Sequence, residues 1–187
     1  MNSVVISVIG LDSPGVVNVV ATALSAKKCN IEAVTQTILL GQFAAIFVAT
    51  LPDGVEMEEI RQFIADSIAA KGLHQTVNVR AFEQHDDSHI EPSEPFVVTV
   101  TGPDRTDIIA AITLIFKAQN VNIENFKAIL PEDNFGQCLL VFEVALPFSV
   151  DRSAFRRTLL SKGEDLGLLI SIQHRDIFEA LHRVSLR

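Results

Sequence analysis

The 187-residue sequence has no tryptophan and no tyrosine, only two cysteines, Cys29 and Cys138, and no apolar run of about 18 residues. Two thiols in no CxxC spacing, with no histidine pattern beside them, give neither a disulfide framework nor a zinc site. They are expected to be buried free thiols in a reducing compartment. The first residues, Met1-Asn2-Ser3-Val4-Val5, lack a basic segment and run directly into strand-like sequence, so no leader or membrane span is expected and the protein is read as cytoplasmic. Positive charge is also scarce. Fifteen Lys and Arg stand against 23 Asp and Glu, for a net charge of -8. That sign repels a phosphate backbone and an acidic membrane surface alike, which disfavours direct nucleic-acid or membrane binding. Gly10, Gly15 and Gly41 are too dispersed for a nucleotide-binding loop, and no Gly-x-Ser-x-Gly occurs.

Apolar residues, by contrast, are abundant. They make up 48% of the chain, and the mean hydropathy is +0.32. Some apolar surface is therefore expected to be covered between domains or subunits.

The sequence repeats itself. At an offset of 92, Val4-Val5-Ile6-Ser7-Val8-Ile9-Gly10 falls on Phe96-Val97-Val98-Thr99-Val100-Thr101-Gly102, and Asp12 on Asp104. Val16, Val17 and Val20 then meet Ile108, Ile109 and Ile112, and Asn30-Ile31-Glu32 meets Asn122-Ile123-Glu124. After three inserted residues, Gly41-Gln42 meets Gly136-Gln137 and Phe47 meets Phe142. Such sustained self-similarity denotes a duplicated domain. The expected division is a first domain over 1–83, a linker over 84–95, and a second domain over 96–187 with a C-terminal helix. The polar, acidic linker ends in two prolines.

Each half reads as strand, helix, strand, strand, helix, strand. In the first, β-branched residues 3–9 form a strand bounded by Gly10, and Ser13-Pro14 is placed to cap and start a helix. Val16, Val17, Val20 and Leu24 recur at helical spacing. Strands follow at 31–39 and 43–51 around Gly41, then a helix through Met57, Ile60, Ile64 and Ile68 that Gly72 can end, then a strand at 74–82. The second half repeats this with helices near 106–119 and 151–163 and strands near 96–102, 122–130, 137–146 and 168–174. The order βαββαβ gives an α+β fold of two tandem ferredoxin-like sandwiches, each with both helices on one sheet face. Strands such as Leu139-Leu140-Val141-Phe142-Glu143-Val144-Ala145-Leu146 are apolar at nearly every position, so the other face also needs a cover, from the sister domain or a second chain. A homodimer is expected on that ground.

The segment Gly10-Leu11-Asp12-Ser13-Pro14-Gly15-Val16-Val17, followed by Asn30-Ile31-Glu32, resembles the ACT-domain signature. Among stand-alone tandem ACT proteins the chain is similar to the glycine cleavage system transcriptional repressor family and its relatives. The resemblance implies a regulatory, non-enzymatic protein that senses a small amino acid, uses no cofactor, and acts through a protein partner such as a transcription factor. The alternative is an accessory allosteric subunit of an amino-acid metabolic enzyme.

The residues support a site for an α-amino acid on physical grounds. A tight turn entering a helix exposes unpaired backbone N–H groups that favour a carboxylate. The expected ligand-binding residues are Leu11, Asp12, Ser13, Pro14, Gly15, Val16, Asn30 and Ile31. Gly15 allows close approach, Asp12 can take an ammonium, and Asn30 offers a donor and an acceptor. The competing reading is architectural, with Asp12 ordering its turn and Asn30 ending the helix. A second, weaker site is expected at Asp104, Arg105, Asp107, Asn122 and Ile123. There Thr106 and Asp107 stand where the first copy has Pro14 and Gly15, and a fixed carboxylate repels a ligand's, an effect that Arg105 can offset in part.

Three further features invite chemistry. His85, Asp86, Asp87 and His89 read as a solvated linker rather than a metal site, and His74 and His174 as surface or edge strand residues. Asp176 to Val184 forms a short amphipathic helix with Ile177, Phe178, Leu181 and Val184 on one face, expected to pack on its own domain, with partner docking as the alternative.

Overall fold

The computed structural model describes residues 2–84, 91–129 and 136–183. The chain divides into two compact units, Met1–Asp86 and Asp87–Arg187. The linker histidines and aspartates, His85, Asp86, Asp87 and His89, lie outside the described residues.

The first unit contains β1 (Asn2–Leu11), α1 (Val16–Ala26), β2 (Asn30–Leu39), β3 (Gln42–Leu51), α2 (Met57–Ala69) and β4 (Thr76–Ala81), and its antiparallel sheet runs β2-β3-β1-β4. The second repeats it with β5 (Ser93–Pro103), α3 (Ile108–Ala118), β6 (Asn122–Ile129), β7 (Gln137–Pro147), α4 (Arg152–Leu166) and β8 (Leu169–His174), in the order β6-β7-β5-β8, followed by α5 (Arg175–Arg183). These are the two tandem βαββαβ sandwiches that the sequence pattern predicts.

Period-two patterning places the core. Val4, Ile6 and Val8 on β1 and Phe43, Ala45, Phe47 and Ala49 on β3 face Val16, Val20 and Leu24 of α1 and Ile60, Ile64 and Ile68 of α2, all buried. In the second unit Val98, Val100, Leu140, Phe142 and Val144 meet Ile108, Ile112, Phe116, Phe155 and Leu159. Phe142 is stacked on Phe126 at 4.4 Å between centroids and meets Phe116 edge-on at 5.3 Å. The first unit has Val34 opposite Phe47 where the second has Phe126 opposite Phe142.

Several boundaries differ from the sequence expectation. Ser13 does not cap α1 and Pro14 is not its first residue; Pro14 and Gly15 form a turn, and the helix begins at Val16 with Gly15 as its N-cap at φ 97°. A proline followed by glycine favours that turn because only glycine adopts the left-handed region freely. Residues 93–95, read as linker, begin β5 instead, with Pro95 opposite Ala145 of β7. Pro95 is tolerated because β8 on the other side reaches only as far as Phe96. Asn30 does not end α1 in a left-handed turn; Lys28 (φ 58°) does so, as Asn120 (φ 53°) does after α3.

The open sheet faces also differ from expectation. In the second unit part of the open face is covered from within the unit itself. α5 lies against β5 and β8, and Val97, which points to the open face, is 2% exposed. Its counterpart Val5 is only half-buried, and near it Ile9, Leu11 and Ile46 are exposed. On α5, Phe178 is half-buried whereas Ile177 is 56% exposed, so the two do not share a buried face. The side chain of Leu181, and Val184, lie outside the described residues.

Candidate functional site

The turn between β1 and α1 borders an open cavity of about 650 Å³ lined by Asp12, Ser13, Pro14, Gly15, Val16 and Val17, with Asn18 and Ala21 further along α1 and Gln36 and Phe43 from the sheet. The hairpin tip steadies this turn: the Asp12 N–H donates to the Gly41 carbonyl at 2.8 Å. From the other side Gln75, 8% exposed, donates through Nε2 to the Leu11 carbonyl at 2.7 Å. Val19 N–H bonds back to Gly15, and Gly15, having no side chain, leaves the first amides of α1 without a side-chain cap. Asp12, Pro14 and Gly15 are exposed and Val16 is buried.

Asn30 and Ile31 are not brought to this cavity. They begin β2 opposite Thr50 and Ala49, whereas Asp12 lies beside the hairpin at Gly41. Eight residue steps along β3 lead from Gln42 to Thr50, about 26 Å at roughly 3.3 Å per step. Asn30 instead donates from Nδ2 to Glu32 Oε1 at 2.7 Å, which also accepts from Thr50 Oγ1 at 3.1 Å. Ile31 packs against the core. The register slips between Ile31 and Ala33 and again between Ile123 and Asn125, so Glu32 and Glu124 are the extra residues of matching β-bulges. The repeated Asn-Ile-Glu motif thus coincides with a bend in the edge strand.

Sequence reasoning missed Gln36, which lines the cavity beside Phe43. The signal was present: Val34, Gln36 and Ile38 alternate on the helix-side face, and the glutamine interrupts two apolar neighbours.

The second copy keeps the frame and changes the contents. Asp104 N–H donates to Gly136 at 2.8 Å, as Asp12 does to Gly41. Asp107 is the N-cap of α3 at φ -100°, but its carboxylate accepts no hydrogen bond from the α3 amides. It is held sideways by Arg105, whose Nε and Nη2 donate to Oδ1 and Oδ2 at 3.0 and 2.9 Å. The Arg105 guanidinium, with Lys162 nearby, keeps the Asp107 carboxyl below the usual range. Asn122 starts β6, and Ile123 packs on the core, so neither joins Asp104, Arg105 and Asp107.

Neither cysteine is poised as a nucleophile. Burial pushes the Cys29 and Cys138 thiols up, against a smaller opposing pull from Lys27 on Cys29. Among the described residues, no group of three or more His, Cys, Asp or Glu is placed to hold a metal. No helix among them is long and apolar enough to cross a membrane. His174 packs edge-on against Phe96 at 5.5 Å, and its Nδ1 accepts from the Asp176 N–H at 3.3 Å, a structural role at the start of α5.

Comparison with known proteins bears on the fold. A UPF0237 protein from Methanosarcina acetivorans is 33% identical over 92 residues, which is 49% of this chain and 98% of that protein. One from Methanopyrus kandleri is 38% identical over 88 residues, 47% of this chain and 96% of that protein. Each therefore resembles one copy. An unknown protein from Galdieria sulphuraria superposes with a TM-score of 0.72 at 23% identity, covering 92% of this chain and 98% of its own. A protein described as a glycine cleavage system transcriptional repressor does so with a TM-score of 0.62 at 14% identity, covering 92% and 96%. At these identities the two structures share the fold. The ACT domain pattern matches residues 2–77 and again 94–173, and the chain therefore belongs to the ACT domain family and carries two such domains in tandem.

Proposed function

We propose that this protein is a regulatory module that senses a small amino acid at the first copy's turn and acts through a protein partner. The carrying observation is the cavity around Asp12–Val17, where uncapped α1 amides lie within one wall and the Asp12 carboxylate within the same lining. The amides and the helix dipole favour a ligand carboxylate, and Asp12 favours its ammonium. Gln36 supplies the amide donor and acceptor that Asn30 supplies in the sequence reading, since Asn30 stands at the far end of β2. The family match supports a non-catalytic role.

The partner is a metabolic enzyme, of which this chain is an accessory allosteric subunit, or a transcription factor, as in glycine cleavage repression. The accessory-subunit reading is carried forward because it asks only for a tandem pair of ACT domains, one of them sensing, docked on a protein. The likeness to a transcriptional repressor is one of fold alone at 14% identity. Cytoplasmic residence fits either partner. Self-association as a dimer is supported by the uncovered open face of the first copy, where Ile9, Leu11 and Ile46 are 55%, 61% and 49% exposed.

A dye-based thermal-shift screen of the common amino acids tests the sensing role. One small amino acid should raise the melting temperature in a concentration-dependent way. A flat response across the set contradicts it. Affinity purification with and without that ligand should recover a metabolic enzyme in a ligand-dependent manner, and recovery of a transcription factor instead would reverse the choice of partner.

A further inference from the structure

The second copy has a cavity between α5 and the open sheet face. Its volume is about 280 Å³. Its floor is Val97 and Thr99 of β5, Leu139 and Val141 of β7, and Ser171 and Gln173 of β8, and Phe178 of α5 closes it. The strand register sets Gln173 beside Val97, and Thr99 between Ser171 and Val141, so polar groups of β5 and β8 stand beside apolar groups of β5 and β7.

Two contacts fix the start of the helix that covers the site. Arg175 Nη1 approaches Glu124 Oε2 at 3.4 Å, and the Asp176 N–H donates to His174 Nδ1 at 3.3 Å. The fold makes no use of one acceptor beneath it. Among the described residues Gln173 Oε1 is buried with no hydrogen-bond partner, and a buried unpaired carbonyl costs about 1–3 kcal/mol. A ligand that donates one hydrogen bond would satisfy it. No lining residue is charged, so burying a zwitterion or an anion there would be unfavourable.

We infer that the space between α5 and the β5–β7–β8 floor is a binding site for a neutral small molecule with an apolar body about the size of one ring and a single hydrogen-bond donor. Gln173 Oε1 takes the donor, Val97, Leu139, Val141 and Phe178 enclose the body, and the Thr99 and Ser171 hydroxyls tolerate a second polar atom. This site is distinct from the turn at Asp12–Gly15 in ligand, copy and elements, and it does not depend on the sensing role proposed for that turn.

The test uses the full chain, labelled with nitrogen-15, and two probes of similar size, phenol and toluene. Phenol should give saturable shifts at the amides of Thr99, Val141 and Ser171 and at the Gln173 side chain, and should bind more tightly than toluene. Gln173→Leu should remove that preference by weakening phenol about tenfold while leaving toluene nearly unchanged. Ser171→Leu, which fills the floor, and Phe178→Ala, which opens the cover, should each weaken both probes. Gly15→Asp should leave both untouched. Absence of localised shifts for either probe at millimolar concentration overturns the inference. So does a phenol preference that persists in Gln173→Leu with the amide spectrum of a folded chain.

Discussion

The two copies hold the same turn in the same way and furnish it differently. Asp12 and Asp104 both hang from the carbonyl of a hairpin glycine at 2.8 Å, so the backbone frame is common to both. In the first copy the next residues are Ser13-Pro14-Gly15, and a left-handed glycine opens the helix start to a cavity. In the second they are Arg105-Thr106-Asp107, and an arginine–carboxylate pair stands beside the helix start. The two copies therefore share a backbone hydrogen bond at this turn, while the three residues that follow it differ in charge and conformation.

The largest expected effect tests whether the cores are as separate as the sites. Phe47→Ala and Phe142→Ala should each cost about 3–5 kcal/mol. Phe142→Ala should cost more, because Phe126 and Phe116 stack on and abut the ring it removes. Urea unfolding followed by circular dichroism measures both, and equal losses would show that the aromatic cluster adds nothing to the second copy.

Gly10→Ala should cost about 1–3 kcal/mol, since an added Cβ would lie 2.9 Å from the Gln75 Cα, a backbone atom that cannot swing away. Gly102→Ala should cost a similar amount, because its φ of 157° strains any side chain there. The nearest atom there, at 2.7 Å, is Leu168 Cδ2, the end of a flexible side chain. An unchanged urea midpoint in Gly10→Ala would contradict the close approach of Gln75 to the end of β1.

Lys28 and Asn120 offer a smaller comparison. Both occupy the left-handed position after their helices, and asparagine tolerates it better than lysine. Lys28→Asn should therefore stabilise the first copy by about 0.5 kcal/mol. A loss of stability on that substitution would mean that Lys28 makes a favourable contact of its own.

Much of the fold was legible because the repeat and two periodicities carry it. Val4, Ile6 and Val8 announce a strand, and Ile60, Ile64 and Ile68 a helix, by spacing alone. The site was less legible, for reasons that lie in long-range register. Asn30 follows α1 closely in sequence, yet the helix between carries it to the opposite end of the sheet from Gly15. Gln36 reaches the cavity only because β2 turns back at Gly41. The start of α1 was misplaced because Ser13-Pro14 fits a capped helix as well as a turn, and the left-handed Gly15 decides between them. The packing of α5 on its own domain was legible from its amphipathic pattern, but that pattern does not say which sheet face the helix meets.

The comparison between the copies rests on charge at the helix start, and one calorimetric experiment addresses it directly. Aspartate at position 15 would carry two burdens, a negative charge and a side chain at φ 97°, whereas Asp107 sits at φ -100° and escapes the second. Gly15→Asn shares the backbone strain without the charge. Titration of the wild type, Gly15→Asn and Gly15→Asp with the amino acid found in the thermal-shift screen separates the two. Affinity should fall at least about tenfold further in Gly15→Asp than in Gly15→Asn, roughly 1.4 kcal/mol for the opposed carboxylates. Equal affinities in the two variants, both folded by circular dichroism, would contradict the claim that the ligand's carboxylate rests on the amides of α1.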